Sequence, residues 1–202
     1  MLMYQIRNFV GSVARTAILL AVAWAVLPAV VQASEPTLHW PVAVVEWHYN
    51  GLGKPVWLGE EEALELAQQA AAGWRACGIA LRYAGESDAV PGNMDGRNVV
   101  GWAGDGRRHS AWTHWSAKRS GALLEADITL YANVFDDYRA RGMDARLELN
   151  KSLVHEFGHV LGLTHSEVPS DAMSVRVRTR PEWKLPSEND IARCRGHYGY
   201  EN

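Results

Sequence analysis

Three of the chain's eight histidines fall within the eleven residues HEFGHVLGLTH, positions 155 to 165. On a helix, residues four apart share a face, one turn above the other. His155 and His159 can therefore aim two imidazoles at one point. Glu156 sits about 100° further round the helix; it misses that point but can reach a water beside it. Gly162 takes left-handed backbone cheaply and can end the helix in a sharp turn, which lets His165 return as a third imidazole. Three neutral imidazoles with one position open make the ligand set of catalytic zinc, not of a closed structural site. Zinc held this way lowers the pKa of its water toward about 7, and an adjacent carboxylate can take the proton and pass it to a leaving amine. A bare His-Glu-x-x-His also occurs on surface helices; Gly162 and His165 are what make this one specific.

The helix that carries the motif is predicted over about 145–161, with Asp144 as its cap. Around it, HWPVAVVEWHY (39–49) is aromatic and β-branched before the Asn50-Gly51 turn and reads as a strand. Residues 60–76 open with acids, repeat Ala63, Ala67, Ala70 and Trp74 at helical spacing, and stop at Gly78. Strands are expected at 79–83, 98–102, 109–115 and 122–133, with a turn at Ser120-Gly121. Residues 166–186 read as irregular, and Ser187 with Asp190 resembles a capping box opening a last helix that ends near Gly199. This order gives a mixed α+β domain whose helices cover one sheet.

Arg7 and Arg15 without an acid, an apolar run over 16–31 broken by Pro28, and small residues at Val31 and Ala33 predict a signal peptide over 1–33. The run is sixteen residues, short of the roughly 20 that a spanning helix needs. A domain over 34–202 and no membrane contact after cleavage are expected, which makes the protein secreted or periplasmic. Loss of Arg7 and Arg15 takes the formal charge from −3 to −5, which argues against nucleic acid as a partner. Cys77 and Cys194 are the only cysteines; an even count in an exported chain predicts a disulfide, with two free buried thiols as the alternative.

HExxHxxGxxH is the signature of the metzincin metallopeptidases, and the chain resembles them beyond it. Asp171-Ala172-Met173-Ser174 stands eight residues after His165, where metzincins place a methionine turn beneath the metal. Ser166 directly after the third histidine, the strand-like LLEADITLYAN, the ending LPSENDIARCRGHYG and the opening WPVAVVEWHY resemble the matrixins, small bacterial ones above all. The likeness runs over about residues 38–200. It implies a zincin-like fold: a twisted mixed sheet of about five strands with two main helices, and a smaller C-terminal part ending in a helix. It also implies one catalytic Zn²⁺ on His155, His159 and His165, Glu156 as general base, Met173 as the floor, and Asp190 bracing the methionine turn. The substrate would be a polypeptide lying along an edge strand within 109–115, cleaved by a monomeric zinc endopeptidase. The alternative is a catalytically inactive zinc-binding module of the same fold; the intact Glu156 argues against it.

The chain departs from that family in several places. Val175 replaces a usual proline, Arg176, Arg178 and Arg180 follow where an aromatic is common, and Asn189-Asp190 keeps only one acid of a pair. The arginines suggest a preference for acidic residues after the cut, or simply a solvated loop. Asp105, His109 and His114 as a second zinc site, or Asp136-Asp137 as a calcium site, have no clear motif behind them.

Overall fold

The structure is a computed structural model that describes residues 37–106, 109–175 and 185–199. The chain divides into Met1–Ser34 and Glu35–Asn202; the first unit, and with it the signal-peptide expectation for 1–33, lies outside the described residues.

The sheet is built from β1 (Val44–Asn50), β2 (Ala80–Glu86), β3 (Val99–Ala103), β4 (Ala111–Ala117) and β5 (Leu123–Tyr131), in the order β2-β1-β3-β5-β4. The first four strands in that order run parallel; β4 alone is antiparallel, paired with β5. Central strands of a parallel sheet are covered on both faces. β3 accordingly reads as the unbroken buried run VVGW, whereas the edge strand β2 alternates. Gly121 closes the β4–β5 hairpin with a left-handed backbone.

Helices α1 (Glu60–Gly73) and α3 (Ala145–Val160) pack on each other and on the sheet. Trp47, Trp74 and Phe157 are almost wholly buried between them. The indole of Trp74 donates to Val154 O at 3.0 Å, and Trp47 meets Phe157 edge-on at 5.4 Å. After a short 3-10 turn, Arg75–Cys77, Gly78 takes a left-handed φ of 99° and stops the helix, as expected. Cys77 is bonded to Cys194 on α4 (Glu188–His197), 117 residues away. The predicted disulfide is present, and α4 is thereby fastened to the turn that follows α1.

Two sequence expectations differ from the structure. The first strand begins at Val44, not His39; residue 39 keeps only an isolated bridge to Ala122. Pro41 has no N–H to give a ladder. The last strand stops at Tyr131, and Ala132–Ala140 forms a helix, α2, that was not anticipated. Its apolar anchors are few: Ala132 and Phe135 are buried and Tyr138 packs beside them. That three-residue spacing places them on one helical face, but it is too short a run to stand out from a strand made of the same residue types.

Candidate active site

Helix α3 is positioned from both ends. The Asp144 side chain accepts from Arg146 N and Leu147 N, each at 3.1 Å, and so caps its start. Leu149, Leu153, Val154, Phe157 and Leu161 are fully buried and hold its core face. Gly162 then turns the chain with φ 79°. A Cβ there would lie 2.2 Å from Leu38 O, so both the conformation and the space require glycine. Trp40 Nε1 donates to Val160 O at 2.7 Å and Tyr198 Oη to Leu161 O at 3.0 Å. These bonds occupy carbonyls that the helix end leaves open.

From this frame the three imidazoles converge. His155 Nδ1 lies 2.7 Å from Ala172 O, and His159 Nδ1 lies 2.8 Å from Leu163 O. A carbonyl oxygen only accepts, so each Nδ1 carries the hydrogen and each Nε2 presents a lone pair. Yet His159 Nε2 is 3.1 Å from His155 Nε2 and 3.2 Å from His165 Nε2. The lone pairs of His155 and His159, facing one another at that distance, repel unless a cation lies between them. Zinc bonds of 2.0–2.1 Å at tetrahedral angles would set nitrogens about 3.3–3.4 Å apart, so the donors fit zinc. Burial lowers the pKa of all three rings, that of His159 to about 4. They are neutral at pH 7, as ligands must be. Among the described residues, these histidines are the one group of three or more metal-type side chains.

Glu156 is 7% exposed. Burial pushes its carboxyl up to about 7, against the opposing effect of the Thr113 hydroxyl, which donates to Glu156 Oε2 at 2.6 Å. Thr113 lies on β4, whose outer edge pairs with no strand among the described residues. A cleft of about 710 Å³ runs between β4 and α3 and on to Ser174 and Val175. Trp112 and Trp115 stand half-exposed along it.

Beneath the histidines Met173 is fully buried. A Cβ added to Gly158 would lie 2.1 Å from Met173 Sδ and 2.8 Å from Trp74 Cζ2, so the helix has glycine where the methionine abuts it. The turn around Met173 is tied to α4. Asp190 accepts from Ala172 N at 2.6 Å and Met173 N at 3.3 Å, and from Ser187 N at 2.8 Å in the capping box. Asp171 accepts from Ser166 Oγ, Ser187 Oγ and Asn189 Nδ2. Asn189, where the family's second acid is missing, thus serves as a donor to the same turn.

Three of the residues considered for further ions, His109, Asp136 and Asp137, have side-chain partners. His109 stacks edge-on with Trp112 at 5.2 Å, and His114 lies opposite Asp127 in the sheet. Asp136 accepts from Trp57 Nε1 at 2.7 Å, and Asp137 pairs with Arg141. Asp105 joins no metal-type group among the described residues. Arg176, Arg178 and Arg180, and the pocket preference read from them, lie outside the described residues. Sequence reasoning passed over Thr113 and Gly158. The first carried only the signal of a lone hydroxyl within an aromatic strand, the second that of a small residue between the helical histidines.

An α+β domain with two helical histidines joined by a third after a glycine turn, over a buried methionine, defines a metzincin-type metallopeptidase domain. The family model of the matrixins, peptidase M10, matches residues 61–199, and the chain belongs to that family of zinc metallopeptidases. No curated protein matches the chain. Among solved structures it is similar to the GM1-bound form of the ECX AB5 holotoxin, at 15% identity and a TM-score of 0.48, covering 77% of this chain and 80% of that one. A likeness that distant carries no argument about function.

Proposed function

We propose that the protein is an exported zinc endopeptidase in which His155, His159 and His165 hold one catalytic zinc and Glu156 moves the proton. The observation that carries this reading is the convergence of three imidazole nitrogens beside a buried carboxyl in an open cleft. When bound, zinc supplies a Lewis acid that activates water and polarises a carbonyl. Glu156 takes a proton from the attacking water as its oxygen adds to the peptide carbonyl carbon. The carboxyl, held by Thr113, then gives that proton to the departing nitrogen as the C–N bond breaks. The outer edge of β4, unpaired among the described residues, takes the substrate backbone and brings the scissile bond over the histidines. Met173 and Asp190 keep His155 aligned, because the Ala172 carbonyl that orients its ring belongs to the turn they fix. Export is supported by the Cys77–Cys194 bond, which suits an oxidising compartment. No helix among the described residues is long and apolar enough to cross a membrane. The test is digestion of casein by purified protein. Removing the metal with a chelator should abolish cleavage and one equivalent of zinc should restore it; cleavage that survives complete metal removal would overturn the reading.

A further inference from the structure

One end of the cleft holds charges that this mechanism does not use. Lys151 and Glu148 lie on α3 and line the cleft, yet they are only 4% and 8% exposed. Lys151 Nζ donates to Glu148 Oε1 at 2.8 Å. Beside them Ser152 Oγ donates to Glu148 O at 2.9 Å, and Ser110 and Ser152 share a hydrogen bond of 2.7 Å across the cleft. This polar group begins one helical turn before His155, about 6 Å along the axis, which is within reach of a side chain whose backbone lies at the histidines.

The chemistry of that end narrows what it can take. An ammonium has three N–H donors and a carboxylate has acceptor capacity for about four bonds; the pair itself uses one of each. Its charges cancel. A substrate carboxylate or ammonium would add an unpaired buried charge, which is costly. An aliphatic end would desolvate the pair and return no hydrogen bond. A primary amide stays neutral and offers both an acceptor for Lys151 and donors for Glu148.

We propose that the Glu148–Lys151 pair floors the pocket for a substrate side chain flanking the scissile bond and selects side chains ending in a primary amide, glutamine above all. This rests on the peptidase reading given above. Sites built to hydrogen-bond a side chain discriminate more sharply than apolar pockets do. The zinc-loaded protein is set to digest casein, and the residues on each side of every cut are read by mass spectrometry. Matched peptides that differ only at the selected position then give kcat/KM. Wild type should prefer glutamine over leucine by about tenfold or more. The double variant Glu148→Leu/Lys151→Leu should reverse that order among the matched peptides; Glu148→Met/Lys151→Met serves if the first fails to fold. A purely structural pair would leave the preference unmoved. Casein cleavage with leucine accepted as well as glutamine overturns the assignment and leaves the peptidase standing. A wild type inert on casein overturns the peptidase reading, and the assignment falls with it.

Discussion

Asp190 is not one of the three candidate ligands, though its charge acts on His155; under the proposed reading it should govern how well metal is held. Its carboxylate is fully buried and accepts from Ala172 N, Met173 N and Ser187 N. Asp190→Ala orphans two backbone donors in the methionine turn, each costing about 1–3 kcal/mol when buried. It also removes half of the capping box on α4, worth about 1 kcal/mol. Discounting the long bond to Met173, the loss comes to about 2–4 kcal/mol. At about 2–4 °C per kcal/mol for a domain of this size, the metal-free protein should melt about 10 °C lower. A second effect follows from the Ala172 carbonyl, which orients the His155 ring. Loss of such an outer partner lowers metal affinity about 10- to 100-fold. Asp190→Asn keeps an oxygen for Ala172 and Ser187 and turns an NH₂ toward Met173, so it should lie between the two. The assays are thermal melting without metal, since bound zinc itself raises the melting temperature, and zinc competition against a chelator at pH 7. An Asp190→Ala protein that melts within 2 °C of wild type, or is destabilised but binds zinc as tightly, would refute this chain of contacts.

Three other expectations come from neighbouring contacts. Gly158→Ala forces a methyl against Met173 and Trp74; overpacking should cost about 1–3 kcal/mol in urea melts, with weaker zinc binding, and a neutral result would mean that the turn yields freely. Burial acts to raise the Asp171 pKa, but bonds from Ser166, Ser187 and Asn189 and the Arg193 charge bring it below the ordinary 3.8. A depressed folded pKa gives stability that is present above the unfolded value and lost as pH falls through the folded one. Asp171→Asn should therefore melt below wild type at neutral pH and approach it below pH 4; a constant gap would contradict this. Reducing the Cys77–Cys194 bond should remove about 4–5 kcal/mol by the loop-entropy relation, seen as a lower melting temperature under reductant, whereas Cys77→Ser/Cys194→Ser should be indifferent to it.

Much of this site was legible because its parts are local. A four-residue spacing on one helix, a glycine turn and a capping box are written in consecutive residues, so α3, Gly162 and the Ser187–Asp190 cap are all read without the fold. Composition likewise marks the strands, since β3 is buried on both faces and reads as an unbroken apolar run. What stays hidden depends on contacts between distant segments. Thr113 meets Glu156 across 43 residues, and nothing near either residue announces the other. Lys151 has the local sequence of a surface lysine on a helix, and its burial beside Glu148 shows only in the fold. Helix α2 is hidden for another reason: Phe135 and Tyr138 have strand character and follow a strand directly, so the change from period two to period three is carried by very few residues.

The central claim is that Glu156 moves the proton beside a zinc held by His155, His159 and His165. Wild type and Glu156→Ala should be compared for zinc content and for casein cleavage in the same preparations. The account predicts one zinc per chain in both, with cleavage lost by at least about 10²-fold in the variant. A Glu156→Ala protein that keeps its zinc and cuts casein at the wild-type rate would contradict it.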